Sequence, residues 1–126
     1  MTTYNNATVM GAGQPFSITL SDGSILSFTL TGTKPAAMTV GAIVAPAWTG
    51  AATGNTAFMG IPGKPILYTV TATGTVNLTL SNITVTPPNG VVSTGQFKLV
   101  VADAESTNNS ESLTFVTNGG GWSLDD

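Results

Sequence analysis

Apolar and polar residues alternate with period two along much of the chain. The first clear run is Phe16-Ser17-Ile18-Thr19-Leu20. After Ser21-Asp22-Gly23-Ser24 comes a second, Leu26-Ser27-Phe28-Thr29-Leu30. Period two marks half-buried strands, because successive side chains point to opposite faces of a sheet. Asp-Gly between two such runs is a hairpin signal. Parity constrains the turn further. Facing Phe16, Ile18 and Leu20 against Leu30, Phe28 and Leu26 requires an odd number of loop residues, since a two-residue turn would send one set to solvent. A three-residue loop or a bulge is therefore expected.

Residues 1–14 are small and polar and read as a flexible lead-in or an edge strand. Thr31 to Ala37 is a connector broken by Pro35. Met38 to Ala45 and Ile66 to Thr71 are apolar enough to be strands. Val76 to Leu80 alternates cleanly, the parity shifts at Ser81-Asn82, and Ile83 and Val85 carry the apolar face onward. Such a shift predicts a bulge or a tight turn. Pro87-Pro88-Asn89-Gly90 is a turn. Phe97, Leu99 and Val101 form another alternating strand, and Leu113 to Val116 the last one before Gly119-Gly120-Gly121. No stretch has helical periodicity. The expected fold is all-β: an antiparallel β-sandwich of lectin-like or jelly-roll type with long Gly-rich loops, forming one domain over residues 1–126.

Composition narrows the setting. Hydrophobic residues make up 41%, enough for a core, but charged residues only 7%, against about 25% in ordinary soluble domains. Thr, Ser, Asn and Gly must supply the polar surface, a pattern common in extracellular stalk and adhesin domains of bacteria. The net charge is -3, the only cations are Lys34, Lys64 and Lys98, and arginine is absent. That excludes nucleic acid, which needs a basic footprint, and disfavours anionic membrane surfaces. No apolar run is long enough to span a bilayer. There is no cysteine, so a bacterial exterior fits better than an animal one, where small secreted domains usually carry disulfides. The N-terminus has no charged region followed by an apolar one, so the chain is expected to be a fragment of a larger secreted protein. The sequons at Asn6, Asn77, Asn82 and Asn108 are expected by chance in a chain so rich in Asn and Thr.

Candidate chemistry lies in two loops. Trp48, Phe58 and Tyr68 sit among glycines and alanines, with Asn55 between them. Aromatic rings in such a loop can stack on a sugar or anchor a protein partner; equally, they can pin the loop to the core. In the second loop, Asp103, Glu105 and Glu111 bracket Ser106 to Ser110, which includes Asn108 and Asn109. Carboxylates, amides and carbonyls could hold Ca²⁺, though not in the EF-hand pattern. The same residues could contact sugar hydroxyls, or simply cap their own turns in a solvated loop. Catalysis is not expected. The chain has no histidine to act as general base and no Cys nucleophile. A glycosidase would need two carboxylates across a cleft that nothing here indicates. Lys98 faces solvent by its strand parity, which argues against a buried Lys–Asn crosslink. Trp122 is expected to pack against the end of the sandwich.

Three segments carry a resemblance. "GNTAFMGIPGKPILY" (Gly54 to Tyr68), "LSNITVTPPNG" (Leu80 to Gly90) and "VADAESTNNSESLTF" (Val101 to Phe115), in that order, resemble the ligand-binding non-repetitive domain of CshA-type fibrillar surface adhesins, wall-anchored proteins of Gram-positive bacteria. The hairpin around "SDGS" fits the same pattern. The resemblance implies a lectin-like β-sandwich displayed on a surface fibril, adhesion to an extracellular host protein of the fibronectin type, and no catalysis; the loop residues themselves leave a glycan ligand equally open. It carries over no residue-level binding motif. A structural spacer or self-assembling fibre subunit is the rival expectation, because a neutral Thr-rich surface tolerates edge pairing.

Overall fold

The structure, a computed structural model, describes residues 3–44, 65–70, 73–90, 99–101 and 112–123. It comprises α1 (Asn6–Val9), β1 (Gln14–Thr19), β2 (Ile25–Thr33), β3 (Thr39–Val44), β4 (Pro65–Val70) and β5 (Asn77–Thr86). Among the described residues all pairing is antiparallel, in a three-stranded sheet of order β1-β2-β5 and a two-stranded sheet of β3 and β4. The fold is thus all-β, with one short helix among the described residues. The chain divides into two compact units, residues 1–44 with 65–99, and residues 45–64 with 100–126.

The β1–β2 hairpin has the odd loop that parity requires. Leu20 N–H donates to Ser24 O at 2.8 Å and Gly23 N–H to Leu20 O at 3.0 Å, so Ser21, Asp22 and Gly23 form a three-residue loop. Gly23 takes φ +83, the left-handed position that such a loop needs and that glycine fills without strain. The facing differs from expectation by two residues. Phe16 lies opposite Phe28, not Leu30, and Ile18 lies opposite Leu26. The tight loop draws Ser24 into line with Leu20, and a two-residue offset leaves every side chain on its expected face. The Phe16 and Phe28 rings stack with centroids 5.4 Å apart and 17° between planes.

Asp22 fastens the turn. Its carboxylate accepts the Ser24 N–H at 2.9 Å and the Ser24 hydroxyl at 3.0 Å, and these bonds hold its pKa below the ordinary value, the backbone bond most strongly. Because the folded-state pKa is the lower one, this contribution is present above the unfolded value and is lost as pH falls through the folded value. Asp22→Ala is therefore expected to lower Tm slightly at neutral pH and to leave Tm unchanged at the acid end of that window. Thermal melts from neutral pH downward check this, and a deficit that persists undiminished in acid would contradict it.

β5 runs as one strand through the parity shift. Thr29 pairs with Ser81 and Ser27 with Thr84, so Asn82 and Ile83 together oppose Phe28. This is the expected bulge, and Asn82 takes φ +53, a conformation that Asn tolerates better than most residues. The extra residue returns Ile83 and Val85 to the face held by Leu78 and Leu80.

The N-terminal segment is neither a flexible lead-in nor an edge strand. Residues 6–9 form a helical turn capped by Asn5, whose side chain accepts the Thr8 N–H at 3.0 Å. Gln14, itself buried, ties this turn to β1: its amide accepts the Asn5 N–H at 2.7 Å and donates to Thr3 O at 2.6 Å. Four residues are too few to show a helical period, and tertiary bonds supply what propensity does not. The helix delivers Val9 into a core with Phe16 and Leu30, lined by Tyr4, Met10, Phe28 and Leu78. Burial raises the Tyr4 pKa, and its hydroxyl donates to Asn6 Oδ1 at 3.3 Å. Met38 and Val40 are also buried, leading into and along β3.

One further expectation is corrected. Residues 112–117 form no strand; Leu113 and Val116 are 58% and 83% exposed, while of the expected strand through Phe97, Leu99 and Val101, Phe97 lies outside the described residues and 99–101 show no strand pairing. Alternation states which side chains would share a face, but a strand also needs a partner ladder, and none forms there among the described residues. Trp122 is 45% exposed, its ring tilted 53° against Phe115 at 5.7 Å.

Candidate functional site

The β3–β4 ladder runs in unbroken register from Thr39↔Val70 to Val44↔Pro65. Residues 45–64 therefore leave and return at a single cross-strand pair. The aromatic, Gly-rich segment picked out from the sequence is the connection of this hairpin. Tyr68 lies on β4 opposite Gly41, half-buried, with its ring laid over the glycine. A Cβ built on Gly41 would lie 2.5 Å from Tyr68 Cζ and 2.7 Å from its hydroxyl oxygen. Glycine at 41 is thus what lets the ring lie flat on the ladder, and the ring in turn covers backbone that glycine leaves bare.

Of the other sequence candidates, Trp48, Asn55 and Phe58 in the first loop, and Asp103, Glu105, Asn108, Asn109 and Glu111 in the second, lie outside the described residues. So do the weak Ca²⁺ candidates Asp103, Glu105 and Glu111, together with Lys64 and Lys98. Among the described residues no three acidic, His or Cys side chains group as a metal site, and no helix is long and apolar enough to cross a membrane. Lys34 donates to Pro35 O and Ala36 O at 3.3 and 3.5 Å, bracing the link from β2 to β3.

A second feature escaped the sequence reading. A shallow depression of about 410 Å³ lies over the β1–β2 sheet beside the β5 bulge. Pro15, Ser17, Ser27 and Thr29 frame it as two cross-strand pairs, and Asn82 closes the third side. Phe16 and Phe28 also line it. Their rings belong to the core on the opposite face, so alternation makes their backbone the floor. The signal was available: the polar positions of the two alternating runs are all Ser, Thr or Pro, and the parity shift falls at Asn82.

A family model described as surface adhesin CshA non-repetitive domain 2 matches residues 2–126. The chain belongs to that family. It is therefore a surface adhesin module, extracellular and displayed at the cell surface. The resemblance carried by the three sequence segments extends over nearly the entire chain. Neither a curated protein nor a solved structure matches it.

Proposed function

We propose that the chain is a non-catalytic adhesion module of a bacterial fibrillar surface protein, anchored to the cell wall through other parts of that protein. It binds an extracellular protein, fibronectin or one like it, or a glycan. The contacts come from the segment Trp48–Tyr68 and from Asp103 to Ser112. The observation that carries this reading is the β3–β4 ladder, which fixes both ends of an aromatic-bearing segment at the Val44↔Pro65 pair, with Tyr68 opposite Gly41 three positions away. Binding residues are disproportionately carried on connections between regular elements, and aromatic side chains are common anchors of an interface. The absence of histidine and cysteine from the whole chain supports the non-catalytic part, since it removes the commonest general base and a strong nucleophile.

The test is binding of the purified chain to immobilised fibronectin and to a glycan array, each with and without Ca²⁺, beside a Trp48→Ala/Glu105→Ala variant. Saturable binding is expected, weakened at least roughly tenfold in the variant, as for loss of anchoring residues. A Ca²⁺ requirement would make the acidic loop a metal site. Concentration-dependent assembly without binding would replace this reading with that of a self-assembling fibre subunit.

A further inference from the structure

We propose that the depression on the β1–β2–β5 sheet is a binding site for an uncharged saccharide, independent of the hairpin segment above and of whether that segment binds. Its size, about 410 Å³, falls within the range of small-molecule sites, roughly 300–1,000 Å³. Its chemistry is specific. The rim carries the hydroxyls of Ser17, Ser27 and Thr29 and the amide of Asn82, each of which both donates and accepts hydrogen bonds. A sugar hydroxyl has the same dual character, so such a rim can satisfy it in either sense. The Pro15 ring adds an apolar wall for the C–H face of a pyranose. No lining residue is charged, so nothing in the site would offset the desolvation of a phosphate, sulfate or carboxylate. A neutral ligand is what remains.

Two observations indicate that the rim is arranged for contact. None of the Ser17, Ser27 and Asn82 side chains has a hydrogen-bond partner among the described residues, so their donors and acceptors are available. Asn82 also stands at the rim because of the bulge, at φ +53. A bulge re-aims a side chain out of the regular pleat, and a non-glycine residue held in the left-handed region has a conformational cost that recurs at ligand sites. The site is shallow, and a few neutral hydrogen bonds support only weak affinity, with Kd on the order of 1 mM. Repeated display along a fibre would raise that through avidity.

The experiment titrates the ¹⁵N-labelled chain with cellohexaose, maltohexaose, a mannohexaose and a galactohexaose, and with a sialylated oligosaccharide as the charged control. Saturable amide shifts at residues 16–17, 27–29 and 81–83 are expected with at least one neutral sugar and not with the charged one. Asn82→Gly keeps the backbone conformation, since glycine accepts φ +53, and should weaken binding about tenfold. Ser27→Tyr fills the depression and should abolish binding, with the spectrum elsewhere confirming the fold. Trp48→Ala should leave these shifts unchanged, which separates this site from the hairpin segment. Absence of saturable shifts with every neutral sugar, shifts confined to β3 and β4, or tighter binding of the sialylated sugar would each overturn the proposal.

Discussion

Phe16→Ala is expected to destabilise the protein by about 3–5 kcal/mol, a large share of the roughly 5–15 kcal/mol that holds a small domain folded. Phe16 is 8% exposed and shares one core with Val9 and Leu30. Its ring also stacks on Phe28 at 5.4 Å, a contact worth about 0.5–1.5 kcal/mol beyond burial. Truncation removes the ring's transfer energy and leaves a void that the flanking strand cannot close, because Phe16 is fixed in the β1–β2 ladder. Val9 reaches this core from a single helical turn, so losing its neighbour should also loosen that turn. Urea unfolding followed by circular dichroism measures the effect. Ser17→Ala, one position along on the solvent face, serves as the control and should stay within about 0.5 kcal/mol. Equal losses for the two substitutions would mean that β1 does not face the core as described.

The second large effect is expected at Gly41→Val. Any side chain there meets the Tyr68 ring, whose Cε1, Cζ and hydroxyl oxygen lie 2.5–2.8 Å from the position of a Cβ. The ring can swing away only by giving up its place on the ladder. A cost of about 1–3 kcal/mol follows, typical of overpacking. Most of it should return when Tyr68→Ala is added, since the second change removes the obstacle. A double-mutant cycle should therefore show coupling of about 1 kcal/mol or more between the two sites. Additive effects would show that ring and glycine do not share one space.

How much of this was legible beforehand varies by element and for physical reasons. The odd hairpin loop and the β5 bulge both follow from parity, since a one-residue error would expose a whole apolar face. Parity cannot detect a two-residue offset, and the facing of Phe16 to Phe28 was missed for that reason; the Asx turn of Asp22 on Ser24 decides it. The helical turn at Asn6–Val9 lacks an amphipathic period altogether. Its only local marks are Asn5 as a cap and Gly11 beyond it, while the bonds from Gln14 that hold it in place come from a neighbouring strand. Strand order was likewise out of reach, because β2 pairs with β5 across a separation illustrated by Thr33 and Asn77, 44 positions apart. Of the candidate site, Tyr68 and the anchoring of its segment were readable as an aromatic, Gly-rich interval between two apolar runs. The saccharide-sized depression was not, since it depends on which Ser and Thr positions become neighbours once register is set.

The order β1-β2-β5 makes β3 and β4 an excursion between two strands that pair with each other directly. The three-stranded sheet is therefore closed by β2 and β5 without any pairing from the segment 45–64. Duplication, trimming or replacement of it would leave the three-stranded sheet and its core intact. Related modules could then differ in that segment while keeping one sheet, and foreign sequences could be grafted between Val44 and Pro65.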